Sequence, residues 1–98
     1  MVAYLLTGLG AARVHQEQHA SARELLERAL TIHARSNVDA VALADTRFAL
    51  ARALWPDPGQ RQRARALAEQ AGGAYREAGA HKAKKLAEVD EWQKRNTR

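Results

Sequence analysis

Apolar positions recur on a helical period along most of the chain, most cleanly over Ser21–Leu30. There Ala22, Leu25, Leu26, Ala29 and Leu30 fall at i, i+3, i+4, i+7 and i+8, which is one apolar stripe on a 3.6-residue period. Ser21 and Glu24 read as a capping box in front of it. Glu24 and Arg28 add an i, i+4 pair with the acid first, the favourable order. The pattern predicts a helix from Ala22 to about Arg35. Upstream, Leu6, Leu9, Gly10 and Val14 predict a first helix over residues 3–16, with the polar stretch Gln16–Ala20 as the turn. Glycine inside a helix costs about 1 kcal/mol against alanine, so Gly10 marks a close helix–helix approach.

Ser36–Asp39 breaks the pattern, with Asn37 suited to a C-terminal cap and Asp39 to an N-cap. A third helix follows over about Ala40–Leu54. Leu43, Leu50, Ala51 and Leu54 lie on one side of it, and Ala44, Phe48 and Trp55 on its shoulder. Trp55-Pro56-Asp57-Pro58-Gly59 holds both prolines of the chain. Pro56 pushes Trp55 out of the helical region, and Asp57 reads as an N-cap with Pro58 at the first helical position. The fourth helix is expected to bury Ala64, Leu67, Ala68, Ala71, Tyr75 and Ala78, with Gly79 as its stop. Within it, Gly72 and Gly73 mark either a close approach or a kink. A last helix, about Lys82 to Lys94, presents Ala83, Leu86, Ala87 and Val89 inward and Trp92 near the rim.

Composition sharpens this picture. The 98 residues make one domain, and the absence of cysteine removes disulfides and thiolate metal sites. Residues 1–52 carry six Arg against five acids, and residues 53–98 carry ten Lys and Arg against six acids. The basic excess of the +5 chain therefore lies in its second half. The opening apolar stretch has no basic segment before it and continues smoothly into Arg13-Val14, so it reads as helix rather than leader. No apolar run reaches the roughly 18 residues that span a bilayer. A soluble, cytoplasmic protein is expected, with no membrane partner.

Two anchors repeat. Leu6-x-x-Leu9-Gly10 recurs as Arg47-x-x-Leu50-Ala51, and Ala22-x-x-x-Leu26-x-x-Ala29 as Ala64-x-x-x-Ala68-x-x-Ala71. Gly10 and Ala51 are 41 positions apart, Ala29 and Ala71 42. A nearly constant spacing between independent anchors is the signature of a repeat. On these residues the chain resembles the tetratricopeptide repeat family, in a long-helix variant with a period of about 42 against about 34 for the basic unit. The stretch from Arg47 to Trp92 also resembles the C-terminal repeat tails of some bacterial serine/threonine kinases, although no kinase motif is present. Arg13 stands where the family pattern has an aromatic, Arg47 where it has a large apolar residue, and the first unit lacks the terminal proline.

The resemblance implies an all-α fold of antiparallel helical hairpins in a short right-handed superhelix. The first repeat is expected over 3–36, the second over 39–79 and a capping helix over 81–95. It also implies a concave face that receives a peptide or a partner helix. By the family's pattern this face draws Tyr4, Thr7, Ala11 and Val14 from the first unit and Asp45, Phe48, Arg52 and Trp55 from the second. For Phe48 and Trp55, completing the core is the competing role.

Catalytic chemistry finds little support. Gly8-Leu9-Gly10 has no strand before it and continues as Ala-Ala-Arg, so helix packing explains it better than a dinucleotide fingerprint. There is no HExxH, G-x-S-x-G or P-loop, and Ser21 is better used as a cap than as a nucleophile. His15 and His19 are four apart but run into the expected turn with no third ligand fixed by spacing, so no metal or other cofactor is expected. Arg61, Arg63, Arg65, Lys82, Lys84 and Lys85 form a basic patch. It is either the solvated outer face of the last helices or, as the competing function, a phosphate-contacting surface for nucleic acid. Leu5, Leu6 and Leu9 form an apolar edge on a helix with no cap before Val2. That edge suggests a fragment of a longer array or a homodimer. The sequence as a whole points to a non-catalytic module that binds a protein or peptide.

Overall fold

A computed structural model of the chain describes residues 2–35 and 39–96, with side chains from Leu5 onward. The break at residues 36–38, including the expected Asn37 cap, lies outside the described residues. Five α-helices make up the described fold: α1 (Val2–His15), α2 (His19–Ala34), α3 (Ala40–Leu54), α4 (Arg61–Ala78) and α5 (Ala83–Arg95). Single 3-10 turns at Pro58–Gln60 and Ala80–Lys82 lead into α4 and α5. The sequential pairs α1/α2 and α3/α4 pack as hairpins. α2 also meets α3, and α5 lies on α4. The extents are 31 × 31 × 21 Å.

Local chemistry sets most of the element ends. The Asp39 carboxylate accepts from the Val41 amide, and the Asp57 carboxylate accepts from Gly59, as N-caps do. Gly79, at φ +102°, closes α4 in a conformation that side chains resist. The first turn differs from expectation. The Gln18 amide donates to the Arg13 carbonyl at 2.8 Å and the Glu17 amide to the Val14 carbonyl at 3.0 Å. Glu17 itself adopts φ +60°. This is a left-handed cap of the Schellman type with glutamate in the place glycine usually takes. It reverses the chain so tightly that α2 begins at His19. Ser21 therefore lies inside the first turn rather than capping it, and Gln18, the N-cap residue, makes no side-chain cap bond.

The core is built from small residues packed around a few large ones. Ala22, Ala29, Ala44, Ala51, Ala64, Ala68 and Ala71 are fully buried, together with Leu26, Leu50 and Val89. Alanine brings helix axes close, and Gly10 brings α1 closer still. A Cβ there would sit 2.5 Å from Leu26 Cγ, nearer than atoms can approach. At Gly72 a Cβ would stand 3.4 Å from Val89 Cγ1, an ordinary contact, and at Gly73 it would meet nothing within 4 Å, so packing demands neither glycine as Gly10 is demanded, and α4 runs as one helix through both. Leu6 is buried as well, whereas Leu5 and Leu9 are exposed. One residue turns a helix by 100°, so adjacent leucines cannot share a face. The expected edge therefore loses Leu6.

The stripe of α5 is also displaced from expectation. Val89 and Trp92 are its buried residues, Leu86 is half-buried, and Ala83 and Ala87 are exposed. Lys85 lies on the inner side because its ammonium reaches Asp45 on α3, at 2.9 Å, and lies 5.9 Å from the Tyr75 ring centre. Trp92 is 7% exposed and belongs to the core rather than the rim.

One polar cluster is enclosed where α1, α2 and α3 meet. Thr46 is fully buried, and its hydroxyl donates to the Ala42 carbonyl at 3.2 Å. Its oxygen lies 2.7 Å from Thr7 Oγ1 and 3.1 Å from His33 Nε2. Thr46 thus ties Thr7 on α1 and His33 on α2 into one hydrogen-bonded cluster. Burial pushes the His33 pKa below its ordinary 6.5. The folded chain thus resists a proton that the unfolded chain accepts. The contribution of His33 to stability is therefore expected to be full above its ordinary pKa of 6.5 and to fall as the pH drops below it. Urea midpoints measured from neutral pH down to the edge of the carboxylate range are expected to fall, and His33→Gln is expected to flatten that decline.

Candidate functional site

Three helix ends converge on one groove. The end of α1 supplies Val14 and His15, the following turn supplies Glu17, and the first residue of α2 supplies His19. The end of α3 supplies Arg52 and Trp55, followed by Pro56. The end of α5 supplies Trp92, Arg95 and Asn96. The groove has a volume of about 600 Å³. A smaller extension of about 290 Å³ runs along α5 between Phe48, Arg52, Glu88, Glu91, Trp92 and Arg95. Arg52 and Arg95 line both parts.

Aromatic packing forms the floor. Trp92 stands edge-on to Trp55 at 5.3 Å and to Phe48 at 6.0 Å between ring centres. These are the tilted arrangements that aromatic rings prefer. The Arg52 guanidinium lies 5.7 Å from the Phe48 centre, and Arg61 and Arg65 lie 4.8 and 5.3 Å from the centre of Trp55. Arg61 also donates to the Trp55 backbone carbonyl at 3.0 Å, which ties the end of α3 to the start of α4. Among the described residues Arg52 and Arg95 make no ion pair. The groove thus offers two guanidinium groups and an indole pair to an incoming group, with Glu17, Glu88 and Glu91 at its rim.

The residues expected on the concave face divide into two sets. Val14, Arg52 and Trp55 line the groove, with Phe48 in its extension. Further along, the same face is closed by the chain itself. Thr7 is hydrogen-bonded to Thr46, Ala11 packs half-buried on the core, and Asp45 is drawn inward. The Asp45 carboxylate accepts from the Tyr75 hydroxyl and from Lys85. Burial first, and then this carboxylate, push the Tyr75 pKa far above its ordinary value of 10, so the phenol stays protonated. The Tyr4 side chain lies outside the described residues.

The basic residues do not form one patch. Arg63 makes a two-pronged pair with Glu27 on α2, at 2.7 and 2.8 Å. That hydrogen bonding holds the Glu27 carboxyl below its ordinary range and raises Arg63. Lys85 is taken by Asp45. Arg61 and Arg65 lie over Trp55 at the start of α4, whereas Lys82 and Lys84 lie beyond its other end. The 18 residues of α4 separate these groups by about 27 Å. His15 and His19 both reach the groove, and no cluster of three possible metal ligands exists among the described residues.

Sequence reasoning missed Arg95 and Trp92 as partners of Arg52 and Trp55. Arg52 and Arg95 are 43 positions apart, and only the return of α5 onto α4 brings them together. A local signal existed for Trp92, namely its spacing of three from Val89.

Helical hairpins stacked through small residues, with aromatic and guanidinium groups at one set of helix ends, define a helical-repeat protein. The chain belongs to the tetratricopeptide repeat family, whose model matches residues 1–77. That match covers α1 through almost all of α4, and α5 lies beyond it. No curated protein and no solved structure gives a significant match. Members of the family are in general protein–protein interaction modules. No helix among the described residues is long and apolar enough to cross a membrane.

Proposed function

We propose that this chain is a non-catalytic protein-interaction module whose groove between α1, α3 and α5 receives an acidic segment of a partner protein. It is organised as two repeat units (3–36 and 39–79) and a capping helix (81–95). The observation that carries this reading is that Arg52 and Arg95 line one groove with Trp55 and Trp92, both without a carboxylate partner among the described residues. A partner carboxylate placed between them would form charge-assisted, two-pronged hydrogen bonds, and an adjacent apolar side chain would rest on Trp55 and Trp92. The module would work in the cytoplasm. The resemblance of Arg47–Trp92 to kinase repeat tails fits a docking tail that selects a larger protein's partners. Protein is favoured over nucleic acid because Arg63 and Lys85 are spent on internal ion pairs.

Selection of random-sequence peptides displayed on phage tests this reading. Asp and Glu are expected to be enriched among the binders. Arg52→Glu is expected to weaken the selected peptides about tenfold or more, the equivalent of one lost charge-assisted contact. Selection without acidic enrichment, or peptides that bind Arg52→Glu unchanged, would overturn it.

A further inference from the structure

The smaller part of the groove holds charges of both signs. Phe48 and Trp92 give it apolar walls, Arg52 and Arg95 line it together with the larger part, and Glu88 and Glu91 belong to it alone. His15 reaches both parts. Glu88 and Glu91 are three positions apart on α5, which makes them neighbours on one side of the helix. Both are exposed. Neither they nor the two arginines make an ion pair among the described residues. Two guanidinium groups and two carboxylates thus share a cleft of about 290 Å³ without neutralising one another.

The two signs are ordered along α5. Arg95 ends the helix, and Glu91 and Glu88 precede it by four and seven residues. At 1.5 Å per residue these steps are about 6 and 10 Å. The larger part of the groove shows no such order, because its one acid, Glu17, stands with His15 and His19. A partner carboxylate held between Arg52 and Arg95 therefore leaves Glu88 and Glu91 facing the residues next to it in the partner chain. A second acid would be repelled there. A lysine or arginine would instead place its charge by the two glutamates and lay its apolar stem along Phe48 and Trp92. An extended chain rises about 3.3 Å per residue, so a point midway between Glu88 and Glu91, about 8 Å from Arg95, lies two or three residues from the acid.

We propose that the smaller part of the groove takes a lysine or arginine side chain of the bound segment, two or three residues from the carboxylate held by Arg52 and Arg95. The partner segment is then bipolar rather than uniformly acidic. This rests on the groove reading and adds the second charge of the occupant.

Random-sequence peptides on phage, selected in parallel on the wild-type chain and on Glu88→Gln/Glu91→Gln, test it. On the wild-type chain Lys and Arg are expected to be enriched two or three positions from the enriched Asp or Glu. On the double variant the acidic enrichment is expected to remain and the basic enrichment to vanish. Both glutamates are exposed, so helicity and thermal melting of the variant should match the wild type. Replacing the base of a selected peptide by alanine is expected to weaken its binding to the wild-type chain about fivefold, the upper scale of exposed ion pairs, and to leave binding to the double variant unchanged. Acidic enrichment without a base at that spacing, or a base enriched equally on both chains, would overturn the bipolar segment and leave the groove reading standing. Absence of acidic enrichment would overturn both.

Discussion

Gly10→Ala is expected to destabilise the protein, although alanine is the better helix former by about 1 kcal/mol. The added methyl would stand 2.5 Å from Leu26 Cγ and 2.7 Å from its Cδ2. Leu26 has no exposed surface into which it could swing. Overpacking of this kind costs about 1–3 kcal/mol, enough to offset the propensity gain. Leu26→Ala alone is expected to cost about 2–5 kcal/mol, the range for emptying a fully buried leucine site. The sign of the first change then depends on the second. With Leu26 shortened the clash disappears, and Gly10→Ala becomes stabilising through propensity and through filling the space. A double-mutant cycle from urea unfolding, at one fixed protein concentration, is expected to give a coupling of about 1–3 kcal/mol. Strictly additive effects would show that α1 and α2 do not approach as closely as described.

Trp92→Ala is expected to cost about 3–5 kcal/mol, a large share of the roughly 5–15 kcal/mol that holds a small domain together. Trp92 is nearly buried and is the residue through which α5 touches both Phe48 and Trp55. Its loss removes the floor of the groove and one wall of the contact between α5 and α3. Trp92→Phe should cost less, because a ring remains in the slot. A loss below about 1 kcal/mol, the range of surface changes, would mean that α5 is an appendage rather than part of the core. The family match ends before α5, so this measurement bears on the segment for which the family pattern gives no guidance.

Residues that act through local chemistry were legible in the sequence. Asp39 and Asp57 cap as their positions suggested, Gly79 stops α4, and Gly10 sits at a close approach. The repeat spacing pointed to stacked hairpins because alanine and glycine at fixed intervals have one physical use, close packing of helices. Two local readings gave way to tertiary constraints. The Ser21 box lost to the left-handed cap at Glu17, which starts α2 before a serine cap can act. The stripe of α5 was misplaced because a lysine was assumed to face water, whereas Lys85 turns inward to an aspartate 40 positions earlier. The groove was half legible. Arg52 and Trp55 were expected from the family's pattern, and the spacing of Trp92 from Val89 was a local signal for its burial, but Arg95 joins them only through the return of α5 and has no such signal.

The account rests on the groove between α1, α3 and α5 being the surface where a partner binds. Both tryptophans of the chain lie in it, so their indole N–H resonances are direct reporters. Titration of the isotope-labelled protein with a phage-selected peptide, followed by backbone and indole amide shifts, tests the claim. The account predicts shifts at Trp55 and Trp92 and along Val14–His19, Arg52–Pro56 and Trp92–Asn96. Saturable shifts confined to the outer faces of α2 and α4, with both indoles unmoved, would contradict it.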